Sequence, residues 1–211
     1  MSHVVLLGDS IFDNAAYVRG GPDVVEQLRG YLPEGWRATL RAVDGAVLRN
    51  VPAQVARVPD DADFLVVSAG GNDALGHVGL LSEGARSMAG ALERLASVGE
   101  HFEAEYRRML AVVLERRLPT AVCTIYNGNF PDAQMQRLGP TALTHFNDAI
   151  LRTAFTAGLP VLELRLICNE PGDYANPIEP SVQGGDKMAR VIARVLAEHD
   201  FSRRRSEVYV G

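Results

Sequence analysis

Short apolar segments rich in β-branched residues alternate along the chain with stretches of helical periodicity. Five apolar segments predict strands, and each is followed by a segment that has apolar residues at helical spacing. The predicted strands are Val4–Leu7, Trp36–Val43, Asp63–Ser68, Thr120–Ile125 and Val161–Leu166. Strands that alternate with helices in this way are typical of a parallel sheet covered on both faces. We therefore expect an α/β protein with one doubly wound parallel sheet, in the strand order 2-1-3-4-5.

The helical segments predict where the chain crosses between strands. They are 22–31, 48–58, 82–117 with a break at 97–100, 141–157 and 181–197. Gly158 is expected to end the fourth segment, and Ser181 is expected to cap the last. We interpret residues 1–200 as one domain. Residues 201–211 contain three consecutive arginines and are expected to form a flexible or partner-facing tail.

Composition narrows the class of protein. The 211 residues are 47% hydrophobic and carry a net charge of -5, which argues against nucleic acid as a partner because phosphate binding requires a basic surface. No apolar stretch reaches the length of a membrane span, and we expect no signal peptide before the first strand. Cys123 and Cys168 lack metal-type spacing, so we expect free thiols and a cytoplasmic protein. The oligomeric state stays open.

Polar residues and glycines follow the first three predicted strands, where parallel strands bring their carboxyl ends to one edge. Ser10 follows the first strand after Gly8, Gly45 follows the second, and Asn72 follows the third. Each has an ordinary structural interpretation as a turn or helix-cap residue. Together they match what acyl transfer requires, a nucleophile and preorganised donors to the developing oxyanion. The donors would be the Ser10 N–H, the Gly45 N–H and the Asn72 side chain.

Three short sequence blocks that follow the first three predicted strands resemble conserved blocks of the SGNH (GDSL-type) hydrolases. The blocks are Gly8-Asp9-Ser10, the glycine at 45 and Gly70-Gly71-Asn72-Asp73, and the resemblance extends from the first strand to the last helix. It implies a three-layer, flavodoxin-like α/β/α sandwich that hydrolyses carboxylic esters without a metal or an organic cofactor. It also implies that Ser10 is the nucleophile and first oxyanion donor, with Gly45 and Asn72 as the other donors.

The fourth block of the family, Asp-x-x-His before the last helix, is absent. Aligning Pro180-Ser181 with the family's Pro-Ser places Asn176 at the Asp position and Glu179 at the His position. A second alignment takes Asp173 as the Asp and puts Asn176 in the His position. We prefer the first alignment, because it keeps the Pro-Ser start of the last helix.

Glu179 is the candidate general base in place of histidine. A glutamate can serve in this way if burial raises its pKa well above about 4.3, and Asn176 could then donate a hydrogen bond to it. Alternatively, Glu179 has only a structural role, as a carboxylate near the positive end of the dipole of the last helix. His77, shortly after Asn72, is a further candidate base on a loop. Arg165 could hold an anionic group at the same edge of the sheet, or it could pair with acidic residues of the following loop.

Three functions therefore remain for this pattern. The leading hypothesis is a serine hydrolase that acts on small-molecule acyl esters through Ser10, Gly45, Asn72, Glu179 and Asn176. The alternatives are a non-catalytic binding or scaffold protein with the same fold, and an acyltransferase that uses the same site. The substrate itself cannot be deduced from the pocket-forming segments.

Overall fold

The computed structural model describes residues 2–211 and contains a sheet of six parallel strands. The strands are β1 (His3–Gly8), β2 (Arg37–Leu40), β3 (Phe64–Ser68), β4 (Thr120–Cys123), β5 (Val161–Leu162) and β6 (Val208–Tyr209). They lie in the order β2-β1-β3-β4-β5-β6, which confirms the expected order of the first five. The expected number of five strands is wrong, because the end of the chain adds a sixth.

Strand β6 comes from the segment that we expected to form a tail. Leu162 pairs with Tyr209 in parallel register, and the Glu163 N–H donates to the Tyr209 carbonyl oxygen at 2.9 Å. The Tyr209 side chain is buried in the core. Two strand residues are too few to show an alternating pattern, so the sequence carries no periodic signal for this strand. Residues 208–209 therefore belong to the sheet.

Helices cover both faces of the sheet. The α-helices are α1 (Val24–Tyr31), α2 (Val51–Val55), α3 (Gly71–Leu75), α4 (Met88–Leu114), α5 (Ala133–Ala157), α6 (Leu164–Ile167) and α7 (Val182–Glu198). Short 3-10 turns span Leu48–Asn50, Val78–Ser82 and Pro171–Asp173. Within residues 2–211, none of the helices combines the length and the apolar character needed to cross a membrane.

Successive side chains of β1 point to opposite faces of the sheet, and the interior is accordingly divided into two hydrophobic cores. Val4 and Leu6 pack with α1 and α7 on one face, whereas Val5 and Leu7 pack with α4 and α5 on the other. Successive side chains of a strand point to opposite faces, so a fully apolar strand must be covered on both sides. The result is the expected three-layer α/β/α sandwich.

Several element boundaries differ from the predictions, and β2 (Arg37–Leu40) and β4 (Thr120–Cys123) are both shorter than expected. Helix α4 runs without the break expected at 97–100, because burial of Phe102 and Tyr106 outweighs the modest helix penalty of Gly99. Helix α5 begins at Ala133 and continues through Pro140. Strand β5 ends at Leu162, where α6 follows almost at once. The expected caps at Gly158 and Ser181 are confirmed, since Gly158 is left-handed (φ 71°) and the Ser181 hydroxyl accepts from the Gly184 N–H at 3.2 Å.

Candidate active site

The turn after β1 places Ser10 at the carboxyl edge of the sheet. Gly8 has a φ of +131°, and a Cβ there would lie 1.7 Å from the Ser68 carbonyl oxygen of the neighbouring strand. The buried Gln54 side chain holds both polar groups of Gly8, accepting from its N–H at 2.8 Å and donating to its carbonyl oxygen at 2.7 Å. Only glycine fits this close approach, so the turn that presents Ser10 is sterically determined.

The Ser10 hydroxyl donates a hydrogen bond to the carboxylate of Glu179. Its Oγ lies 3.1 Å from Glu179 Oε1, and both residues are buried, with 6% and 5% of their surface exposed. The two residues are 169 positions apart in sequence. The alignment that put Glu179 at the family's His position therefore predicted the residue that contacts the serine.

Glu179 sits in surroundings that favour its protonated form. Burial raises the pKa of its carboxyl to about 7, the hydrogen bond from Ser10 opposes this rise, and the negative charge of Asp44 adds to it. Its second oxygen, Oε2, is buried without a hydrogen-bond partner within residues 2–211. A carboxyl with a pKa near neutrality can both accept and donate a proton at neutral pH.

Asn176 shapes the loop that carries Glu179. Its Oδ1 accepts from the backbone N–H groups of Ile178 and Glu179, at 3.0 Å each. The hydrogen bond that we expected from Asn176 to the Glu179 carboxylate is not formed, because the Asn176 side chain is turned toward the backbone of its own loop. Such an Asx-type turn fixes local backbone geometry.

Asp173, the acidic residue of the second alignment, lies in a different cluster. It is fully buried and accepts from the Glu170 N–H at 2.9 Å, from Gln183 Nε2 at 3.0 Å and from Lys187 Nζ at 2.9 Å. These contacts tie the loop to the start of α7. Since Ser10 contacts Glu179, the geometry favours the first alignment.

The candidate oxyanion donors lie in the turns after β1, β2 and β3. Within residues 2–211, the backbone N–H groups of Ser10 and Gly45 donate no hydrogen bond. Gly45 is exposed with a φ of +74°, and no atom lies within 4 Å of a Cβ built there. Asn72 Nδ2 donates one hydrogen bond to the Ala46 carbonyl oxygen at 2.9 Å, and its amide has a second N–H. Asn72 and Ser10 line the same pocket, whereas Gly45 lies outside its wall.

The pocket beside Ser10 and Glu179 has mainly apolar walls. Its cavity volume is about 110 Å³, and the pocket is partly open to solvent. Its apolar walls include Leu75, Leu80, Leu95, Val98, Leu143 and Phe146, from α3, the following 3-10 turn, α4 and α5. A concave apolar space with a few polar groups at one end is typical of a small-molecule site.

His77, the alternative base, also lines this pocket but does not contact Ser10. It is exposed just before the 3-10 turn at 78–82, and its ring lies 6.5 Å from that of Phe146. The hydrogen-bond partner of the Ser10 hydroxyl is Glu179. The geometry therefore brings Glu179, and not His77, to the serine.

Asp9 is a second buried carboxyl at the site, and sequence reasoning missed its importance. It is 2% exposed, lines the pocket and accepts from the Ile11 N–H through Oδ1 at 3.1 Å. Burial raises the pKa of Asp9 to about 7, with a further contribution from the negative charge of Glu179. Its position between Gly8 and Ser10 is the only sequence signal that could have pointed to it.

Three other side chains singled out from the sequence make no hydrogen bond to Ser10. Arg165 pairs with Glu163 at 2.7 Å instead of lining the pocket. Cys123 and Cys168 are buried free thiols, as expected. Within residues 2–211, no group of three or more His, Cys, Asp or Glu side chains is arranged to hold a metal ion.

Fold and site together define a class of protein: a three-layer α/β/α protein with a serine–carboxylate pair at the carboxyl edge of a parallel sheet, above an apolar pocket. The chain belongs to the GDSL-like lipase/acylhydrolase family, whose model matches residues 6–187. It is thus an ester-hydrolysing enzyme of that family. No curated protein sequence matches the chain.

Solved structures with the same fold include several lipases and esterases. The lipase Lip_vut3 from a goat rumen metagenome has a TM-score of 0.69 and 17% identity, covering 94% of this chain and 98% of its own. The extracellular lipase of Streptomyces rimosus has a TM-score of 0.62 and 17% identity, covering 95% and 100%. Phospholipase A1 of Streptomyces albidoflavus NA297 has a TM-score of 0.62 and 15% identity, covering 94% and 99%. At these identities the likeness concerns the fold.

Proposed function

We propose that this enzyme hydrolyses carboxylic esters with Ser10 as the nucleophile and Glu179 as the general base. The observation that carries the proposal is the buried hydrogen bond from Ser10 Oγ to Glu179 Oε1 at 3.1 Å. A serine hydroxyl becomes an effective nucleophile when an adjacent base accepts its proton. In this chain the residue in that position is a carboxylate.

The raised pKa of Glu179 supports this role. An ordinary glutamate is too weak a base to deprotonate serine efficiently, whereas a carboxyl with a pKa of about 7 is tuned close to neutral pH. In the proposed first step, Glu179 Oε1 takes the hydroxyl proton while Ser10 Oγ bonds to the substrate carbonyl carbon and the carbonyl oxygen becomes an oxyanion. Collapse of this intermediate breaks the ester C–O bond, and the protonated Glu179 returns the proton to the leaving alkoxide.

Water completes the proposed cycle. It attacks the acyl group on Ser10 as Glu179 takes a proton from it, and collapse of the second intermediate releases the carboxylic acid and restores the serine hydroxyl. We assign the oxyanion in both steps to the Ser10 N–H, the Gly45 N–H and the second N–H of the Asn72 amide. Donors of this kind, aimed at the developing charge, commonly contribute about 3 kcal/mol each to transition-state stabilisation.

The apolar pocket supports an ester whose acyl group is a hydrocarbon chain. Walls of leucine, valine and phenylalanine side chains favour a methylene chain, because each buried methylene contributes about 0.8 kcal/mol. We therefore propose acyl esters with apolar chains as the substrate class.

Hydrolysis of p-nitrophenyl butyrate tests the proposal. We expect turnover by the unaltered protein and a loss of at least about a thousandfold in kcat for Ser10→Ala. Ser97→Ala is the matched control, since Ser97 is exposed on α4, and its kcat should be unchanged. Turnover that survives Ser10→Ala contradicts the proposal, and a folded protein that binds the ester without turnover supports the binding-protein alternative instead.

A further inference from the structure

The residues on both sides of Glu179 are held by side chains from other parts of the fold. The Tyr126 hydroxyl donates to the Ile178 carbonyl oxygen at 2.6 Å. On the other side, Asn14 Nδ2 donates to the Pro180 carbonyl oxygen at 3.2 Å. The residues immediately before and after Glu179 therefore each accept one hydrogen bond from a side chain outside the Glu179 loop.

These two anchors are built into rigid parts of the molecule. Asn14 is fully buried in the segment after Ser10, and its Oδ1 accepts from the Val24 N–H at the start of α1 at 3.0 Å. Tyr126 follows β4 and is 5% exposed, and its ring packs edge-to-face on Tyr174 with the centroids 5.1 Å apart. The anchors thus connect the Glu179 loop to the ends of β1 and β4.

The Glu179 side chain has little else to orient it. Oε1 receives its hydrogen bond from Ser10, and Oε2 has no partner within the described part of the chain, residues 2–211. A catalytic imidazole is normally oriented by a carboxylate that accepts from its second nitrogen. Here no side chain does this for the carboxylate, so its position depends on the backbone of residues 178–180.

We propose that Tyr126 and Asn14 are positioning residues that hold Glu179 Oε1 within hydrogen-bonding distance of the Ser10 hydroxyl. The proposal rests on the function proposed above. Displacing a catalytic group by about 1 Å can lower the rate about a hundredfold, so even small movements of this loop should reduce turnover.

Tyr126→Phe tests the proposal because it removes the anchoring hydroxyl and keeps the ring. Tyr174→Phe is its matched control. The Tyr174 hydroxyl also anchors this loop, donating to the Cys168 carbonyl oxygen at 2.7 Å, but the anchored peptide is remote in sequence from Glu179. Both variants lose one partly or fully buried hydrogen bond, so a purely structural role predicts similar effects on activity.

With p-nitrophenyl butyrate, we expect Tyr126→Phe to lower kcat by about tenfold to a hundredfold with KM unchanged, whereas Tyr174→Phe keeps the original kcat. The pH profile of kcat/KM supplies a readout that a structural role would not move. Asp9, Asp44 and Tyr17 remain the ionisable neighbours of Glu179, so a looser and better hydrated carboxylate should move the midpoint of the profile to lower pH.

Equal kcat values and equal pH midpoints for the two tyrosine variants, with the Ser10→Ala variant inactive, would overturn the positioning role and leave the proposed hydrolysis intact. Activity that does not depend on Ser10 would instead refute the proposed function. Asn14→Leu removes the donor to Pro180 without adding a charge, and a lowered kcat with KM unchanged is its readout if Tyr126→Phe does not fold.

Discussion

Replacing Glu179 by glutamine should abolish turnover and at the same time stabilise the fold at alkaline pH. Burial raises the pKa of this carboxyl from 4.5 to about 7, so the folded protein binds more protons than the unfolded chain between these pH values. Stability must then fall as the pH rises through this interval. Glutamine has a similar shape and does not ionise, so it avoids this cost.

The magnitude follows from the difference between the two pKa values, which is about 2.5 pH units at about 1.4 kcal/mol for each unit. Integrated over pH, the ionisation of Glu179 costs about 1 kcal/mol at pH 5 and about 3 kcal/mol at pH 8. We expect Glu179→Gln to raise the free energy of unfolding by these amounts. Asp9 shifts in the same direction, and because the negative charge of Glu179 contributes to that shift, its removal adds to the stabilisation at pH 8.

Urea unfolding at pH 5 and pH 8 measures this difference, with the m-value checked for a constant change in exposed surface. Glu100→Gln is the matched control, because Glu100 is exposed on α4, and its stability should follow the unaltered protein at both pH values. The reasoning would be refuted if Glu179→Gln were less stable than the unaltered protein at pH 8. It would also be refuted if the two proteins differed in free energy of unfolding by the same amount at pH 5 and pH 8.

Three further predictions follow from the same geometry. Because the proposed general base, Glu179, must be ionised to accept the proton, kcat/KM for p-nitrophenyl butyrate should be half-maximal near pH 7 and should decrease below it. A profile that is flat from pH 5 to 8 contradicts this. Gly8→Ala should destabilise the protein by about 3 kcal/mol or more in urea unfolding. Gly30→Ala, where a Cβ meets open space on α1, should instead stabilise it by up to about 1 kcal/mol. Equal effects of the two substitutions would contradict the steric argument. Ala142→Phe should fill part of the pocket and lower the octanoate-to-acetate ratio of kcat/KM for p-nitrophenyl esters by about tenfold, and an unchanged ratio would place the acyl chain elsewhere.

Much of the site was predictable because its signals are local. Ser10, Gly45 and Asn72 each follow a predicted strand, and parallel strands end at one edge of a sheet. Glu179 could be predicted from its distance to Pro180-Ser181, whose serine caps α7. The role expected for Asn176 was less accurate, since it bonds to the backbone of its loop and not to the carboxylate.

Other features depend on contacts that no local pattern records. Strand β6 forms because two residues near the end of the chain find an open edge beside β5. The unbroken course of α4 reflects burial of its inner face against the sheet, which overrides the weak local signals at 97–100. The anchors on either side of Glu179 join residues that are 52 and 166 positions apart.

The sequence by itself determined the class of fold, the order of the first five strands and the polar residues at the sheet edge, because hydrophobic periodicity and turn chemistry act over a few residues. The tertiary structure decided between the two candidate partners of the Ser10 hydroxyl, because sequence-based reasoning placed both Glu179 and His77 near the site. It also decided the ionisation of that group. Burial raises the pKa of Glu179 to about 7, and burial is a property of the packed molecule.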